Sequence, residues 1–197
     1  MDKVSYSLGL SMASNLLESG VENLNVDDLC EGIRDLVGKK SLKVSPDEAN
    51  KTLDEYFDDL KKKAIAVAKQ QNSEYLIRNA KVDGVITLES GLQYKVISEP
   101  DPSLNAIKPT QHSTVTCHYT GTLINGQGFD SSYARNEPTS FSLDTVIKGW
   151  QEGIQLMSVG SIYEFYIPYD LGYGPNGYGP IPPYATLIFR VELLDVK

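Results

Sequence analysis

Residues 45–80 limit the fold more than any other stretch of this chain. Ser45-Pro46-Asp47-Glu48 supplies a cap, a proline at the first helical position and acidic side chains in the first turn, where the helix dipole favours them. Ala49, Leu53, Tyr56, Phe57, Leu60, Ala64, Val67, Ala68, Tyr75 and Leu76 then follow one helical face, while Asp54, Glu55, Asp58, Lys61 and Lys62 take the other. A helix running from 46 to about 80 is roughly 50 Å long at about 1.5 Å per residue. Such a rod cannot fold back on a small domain over its whole length, so its apolar stripe needs a partner.

Two shorter helices are expected before it. VSYSLGLSM alternates with period two, the pattern of a strand, but it continues into ASNLLESG, and Ser5, Gly9 and Ala13 line up at helical spacing. Helix is the reading preferred for 4–17, with Gly20 as its stop. Val4, Leu8, Met12 and Leu16 form a second stripe, and Tyr6, Leu10 and Leu17 lie elsewhere, so the helix has apolar residues on several sides. Asn25 or Asp27 caps a further helix carrying Leu29, Ile33, Leu36 and Val37 and ending at Gly38. Two short helices and one long one do not bury these faces within about 80 residues. The expectation is a homodimer whose helical arms exchange; the alternative is a monomeric bundle.

Near residue 83 the composition changes. Of ten prolines only Pro46 precedes it, and most glycines and tyrosines follow it. The division expected is a helical dimerisation domain over 1–83 and a β- and turn-rich domain over 84–197. In the second, LQYKVI, TVTCHYTG, SIYEFYIP and TLIFRVELL read as strands. Val115, Cys117 and Tyr119 share one face of theirs, and Leu187, Phe189, Val191 and Leu193 share one face of the last. A short helix is expected from Asp144 through Trp150, Ile154 and Leu156, broken near Gly160. The fold class is α+β, an antiparallel sheet curved around that short helix.

The residue inventory excludes several chemistries. The net charge of -8 argues against nucleic-acid binding. No run of about 18 apolar residues exists to span a membrane. The N-terminus lacks a sustained apolar core followed by a small-residue cleavage site. The expected location is therefore cytoplasmic, or periplasmic or cell-envelope if a signal has been removed. His112 and His118, with Cys30 and Cys117 far apart, make no convincing zinc site, and the cysteines are expected to be buried free thiols. Cys117 and His118 are strand neighbours pointing to opposite faces, so they do not form a nucleophile–base pair. No glycine-rich phosphate loop precedes a helix, and no cofactor is expected.

The words HYTGTL, FDSSYARNEP, VIKGWQEGI, YGPNGYG and IPPYATLIFRVELL, in this order and spacing, closely resemble the FKBP-type prolyl isomerases over nearly all of 84–197. The preceding part, with YLIRNAKVDGVITLESGLQYKVI, resembles the dimeric macrophage-infectivity-potentiator-like branch. The resemblance implies catalysis of X–Pro cis/trans isomerisation in protein folding. It implies a hydrophobic pocket lined by Tyr119, Phe129, Val146, Ile147, Tyr173, Ile181 and Phe189, with Trp150 as its floor. Asp130 would lie beside the substrate carbonyl, held by Arg135 and Tyr119. The Ile147 N–H and the Tyr173 hydroxyl would bind the peptide or a macrolide inhibitor. By this resemblance Asp130, Tyr173, Phe129, Trp150 and Phe189 are the catalytic set. Tyr119, Arg135, Val146, Ile147 and Ile181 are the binding set. The implied partners are proline-containing unfolded clients held by the dimer. The alternatives are a chaperone module with little isomerase activity, and a structural dimer with no client role. The chain departs from the family pattern at Thr139, where many relatives carry a pocket aromatic. It departs again in a loop one residue shorter between Tyr173 and Ile181, with Tyr178 and Pro180 in place of the usual residues. Both departures bear on macrolide affinity and substrate preference.

Overall fold

A computed structural model describes residues 1–100 and 107–197. The chain divides into two compact units, Met1–Ala64 and Ile65–Lys197.

The first unit is helical. Helix α1 spans Lys3–Glu18, so the ambiguous 4–17 segment is a helix, started by Asp2, whose carboxylate accepts the Ser5 N–H at 2.8 Å. It stops at Ser19, and Gly20 takes the left-handed conformation with φ 79°. Helix α2 (Val26–Val37) is capped by Asn25, which accepts the N–H groups of Asp27 and Asp28. Helix α3 (Pro46–Asn79) begins where expected, the Ser45 hydroxyl accepting the Glu48 N–H at 3.2 Å. Of the residues in this unit only Val21 is buried. Val4, Leu8 and Leu10 of α1, with Leu53 and Phe57 of α3, are all exposed in the single chain.

The second unit takes in the end of α3, and three contacts hold that end. Asn72 Oδ1 accepts the Thr186 N–H at 2.6 Å, Asn79 donates to Gln93 Oε1 at 2.9 Å, and Gln93 donates in turn to the Leu76 carbonyl at 2.9 Å. The division between compact units therefore falls inside α3, whereas composition changes only after it.

The strands are β1 (Val85–Thr87), β2 (Gln93–Ser98), β3 (Thr114–Leu123), β4 (Gly128–Ser131), β5 (Thr139–Ser142), β6 (Ile162–Ile167) and β7 (Leu187–Val196). They form one antiparallel sheet in the order β1-β2-β6-β7-β3-β4, with β5 also paired to β3. Strands β3 and β7 alternate as their sequences indicate: Val115, Cys117, Tyr119 and Leu187, Phe189, Val191, Leu193 are buried. Burial pushes the Cys117 thiol up to about 12. Both cysteines are free, but Cys30 is only half-buried, against the expectation that both would be buried. Strands β1, β4 and β5 are three or four residues long, too short for a period to show.

Helix α4 (Lys148–Ile154) lies against β6. It begins four residues later than the sequence suggests. Asp144 sits in a separate 3-10 turn, Leu143–Thr145, and Val146 and Ile147 are extended. Two consecutive β-branched residues are poor helix starters, and their extended backbone is compatible with that preference. Gly149 and Gly153 permit the close approach of α4. A Cβ at these positions would fall 2.5 Å from the Ile167 side chain and 2.6 Å from the Phe165 ring. The architecture is the expected α+β arrangement.

Candidate active site

One cleft of ≈ 280 Å³ opens where β3, β4, β5 and β7 meet the segment leading into α4. Its lining is Tyr119, Asp130, Phe141, Thr145, Val146, Ile147, Trp150, Tyr173 and Phe189. Trp150, buried at the base of α4, sits edge to face with three rings: Phe189 at 5.1 Å, Tyr119 at 5.2 Å and Phe141 at 5.3 Å between centroids. Each such pair contributes about 0.5–1.5 kcal/mol beyond area burial, so the floor is held by its neighbours. The indole N–H meets no acceptor among the described residues, and the floor offers ring surface only.

The polar side of the cleft is a triangle. The Tyr119 hydroxyl donates to Asp130 Oδ2 at 2.7 Å. Arg135 donates to Asp130 Oδ1 at 2.5 Å and, through its other terminal nitrogen, to the Tyr119 oxygen at 2.9 Å. Antiparallel pairing of Gly121 with Asp130 sets β4 beside β3, bringing the carboxylate near Tyr119. Arg135 follows four residues after Ser131, in a turn pinned by Ser132. The buried Ser132 hydroxyl accepts the Tyr119 N–H at 2.7 Å and lies 2.9 Å from His118 Nδ1. Nearby, Gln151 Nε2 donates to the Val146 carbonyl at 2.8 Å and fixes the extended segment before α4.

Burial of the Asp130 carboxyl opposes its ionisation, but hydrogen bonds from Arg135 and Tyr119 and the guanidinium charge outweigh that and hold it below the ordinary range. Burial raises the phenols of Tyr119 and Tyr173, and the Asp130 charge adds to the rise in both. The triangle is therefore a carboxylate paired with two donors at neutral pH. A carboxyl with a lowered folded pKa contributes stability that is present above its unfolded value, about 3.9, and is lost as pH falls through the folded value. Catalysis that uses this carboxylate is accordingly expected to stay level from neutral pH down to about pH 4 and to fall only below it. A pH profile of kcat/KM on a short peptide checks this, and a loss centred near pH 6 would contradict it.

Eight of the ten residues singled out from sequence gather here: seven in the lining, with Arg135 behind Asp130. Two stand outside the lining. Phe129 packs edge to face on Phe189, centroids 5.4 Å apart, as backing for the wall. Ile181 lines a neighbouring cavity, in a loop where Tyr178 and Ile181 exchange both backbone hydrogen bonds across Gly179-Pro180. Phe141, Thr145 and the pin Ser132 escaped the sequence reading. Phe141 was within reach of it, since it lies two residues beyond Thr139 on the same strand face. Thr139 itself pairs with Cys117 in the sheet. Tyr178 stacks on Tyr173 at 5.4 Å.

Among the described residues, no cluster of His, Cys, Asp and Glu is suited to hold a metal, and no helix is long and apolar enough to cross a membrane.

Comparison with known proteins matches residues 105–194 to the family "FKBP-type peptidyl-prolyl cis-trans isomerase" and residues 1–96 to the "domain amino terminal to FKBP-type peptidyl-prolyl isomerase". The chain is 40% identical to the FKBP-type 22 kDa peptidyl-prolyl cis-trans isomerase of Escherichia coli, over 98% of this chain and 94% of that protein. It is 38% identical to the outer membrane protein MIP of Legionella longbeachae, covering all of this chain and 85% of that one. The crystal structure of FkpA from Escherichia coli superposes with a TM-score of 0.81 at 38% identity, over 98% of this chain and 93% of that chain. With an aromatic cleft, one ionised carboxylate and full-length relatives of this kind, the chain belongs to the FKBP-type peptidyl-prolyl cis–trans isomerases.

Proposed function

We propose that the cleft over Trp150 receives the proline ring of an unfolded or extended client, and that two such chains act together as a homodimer joined by their N-terminal helices. The isomerase reading is carried by one observation: an aromatic cup with a single ionised carboxylate on its rim. Rotation about an X–Pro bond is opposed by roughly 18–20 kcal/mol of amide resonance and takes tens to hundreds of seconds unaided. No covalent bond forms or breaks, so neither nucleophile nor metal is required. The planar amide carries separated charge, which a dry cup of Phe141, Val146, Trp150 and Phe189 rings and methyls disfavours. The Asp130 carboxylate faces the carbonyl carbon as its resonance is lost, and the Ile147 N–H and Tyr173 hydroxyl hold the flanking peptide. A millionfold gain needs about 8 kcal/mol of differential stabilisation, which shape, desolvation and a few fixed dipoles supply together.

The test compares wild type with Asp130→Val on a blocked X–Pro tetrapeptide. Valine keeps much of the volume and removes the charge. A drop in kcat/KM of about ten- to a hundredfold is expected, from about 1.4–2.8 kcal/mol of lost stabilisation. Equal turnover by both proteins would remove Asp130 from the mechanism, and no turnover by either would end the isomerase reading of this cleft.

The dimer reading rests on the exposed apolar side chains of α1 and the first half of α3. Valine, leucine and tyrosine on several sides of α1, with leucine and phenylalanine on α3, do not remain in water without a partner. Two joined arms present two clefts to one unfolded chain and raise its effective concentration at the second once the first is engaged. Light scattering is expected to give twice the chain mass; a particle of 21.7 kDa would contradict the dimer.

A further inference from the structure

Two more cavities of the second unit share part of their lining, and a stacked pair of tyrosines links the first of them to the prolyl cleft. The first, ≈ 540 Å³, lies between the hairpin joining β3 to β4 and the loop before β7, and its lining includes Asn125, Gln127, Asn176, Tyr178 and Ile181. The second, ≈ 180 Å³, shares Leu123, Asn125, Pro182 and Pro183 with the first and reaches Gln71 on α3. The stacked pair Tyr173 and Tyr178 joins the series to the cleft, since Tyr173 lines the cleft and Tyr178 lines the first cavity, with centroids 5.4 Å apart and planes within 14°.

We propose that these cavities form a single track for the extended backbone of the client next to its bound proline. Their chemistry suits that occupant. The chain carries 18 Lys and Arg and 26 Asp and Glu, yet among the described residues none of them lines either cavity. What lines them is carboxamide, tyrosine, proline and aliphatic surface. A carboxamide both donates and accepts, as each peptide unit does, so Asn125, Gln127, Asn176 and Gln71 pair with main chain of any sequence. Tyr178, stacked on Tyr173 yet 70% exposed, still offers ring surface to an apolar side chain. The loop is built rigidly enough to serve as a wall. Gly177 approaches so closely that a Cβ there would meet the Ile181 carbonyl oxygen at 2.2 Å, and Tyr184 is fixed in the left-handed region with Lys69 over its ring at 4.2 Å. The track therefore selects unfolded, uncharged, extended polypeptide. It rests on the reading of the cleft as the proline site.

The test uses the full chain and three synthetic peptides with the same central X–Pro tetrapeptide. One is the tetrapeptide alone, and two are extended by about eight uncharged residues at one end or the other, about 26 Å of extended chain. For wild type, one extended peptide is expected to show a KM about five- to tenfold below the tetrapeptide's at similar kcat, the order given by two or three net hydrogen bonds. The double variant Gln127→Ala/Asn176→Ala is expected to lose that advantage while turning over the tetrapeptide as wild type does. Both side chains are exposed, so neither truncation touches the core. Equal KM for all three peptides in wild type, or an advantage kept by the double variant, overturns the track. Anisotropy titration of the labelled extended peptides reads the same difference as affinity without any turnover. A silent tetrapeptide thus condemns the prolyl cleft alone, and equal affinity of wild type and variant condemns the track alone.

Discussion

Phe165→Ala is expected to destabilise the second unit by about 3–5 kcal/mol, the range for truncating a fully buried aromatic. Phe165 is wholly buried in the middle of β6, paired with Tyr94 on one side and Phe189 on the other, and its ring fills the notch left by Gly153 of α4. Removing it opens a cavity that neither neighbour can fill. The paired strands are locked by their ladders, and α4 is already as near as its glycines allow. Against a typical net stability of about 5–15 kcal/mol, that loss takes away a large part of the whole. The chain has a single tryptophan, Trp150, so its fluorescence reports on this unit and not on the helical arm. Urea titration followed at that signal should show the midpoint fall sharply with little change in slope. A shift worth less than about 1 kcal/mol would show that α4 and the sheet are not packed as described.

The second large effect concerns activity. Gly121 sits in β3 opposite both Asp130 of β4 and Phe189 of β7. A Cβ there would lie 2.6 Å from Phe129 and 2.8 Å from Phe189, closer than carbon atoms tolerate. Gly121→Ala must therefore move one ring or both. Overpacking of this kind costs about 1–3 kcal/mol of stability. Its functional cost is expected to be larger, because Phe189 is cleft wall and β4 carries Asp130. A fall in kcat/KM of at least about tenfold is expected on the short X–Pro peptide. Gly121→Ala/Phe129→Leu, which returns space behind the wall, should recover part of it. Full activity in the single variant would mean that the wall yields freely and that the cleft is not pre-shaped.

Both effects turn on glycines, and their requirement is not visible as periodicity. The long helix was legible because its cap, its proline and its apolar stripe are all local, and hydrogen bonds four residues apart obey local rules. The faces of β3 and β7 were legible for the same reason at period two. Strands β1, β4 and β5 were not, being too short to repeat anything. The start of α4 was misplaced because Val146 and Ile147 prefer extended backbone, and the stretch that feeds the cleft is the one that interrupts the helical pattern.

For the site, the polar triangle could be named residue by residue only through the resemblance to the prolyl isomerases; one strand pair and the turn that follows then bring its members together. Phe129 and Ile181 could not be placed in the same way. Whether a ring lines a cleft or backs its wall depends on a neighbour's packing, and Ile181 lines the next cavity because of the fold of its own loop. From the order of its residues alone the chain determined its helices, its long strands, its charge balance and the kinds of side chain at its site. The sheet order, the docking of Asn72 on Thr186 before β7 and of Asn79 on Gln93 of β2, and the closing of three rings around Trp150 were decided only in three dimensions. Those contacts join residues with no local rule between them, and packing alone selects which of the possible pairings fills space.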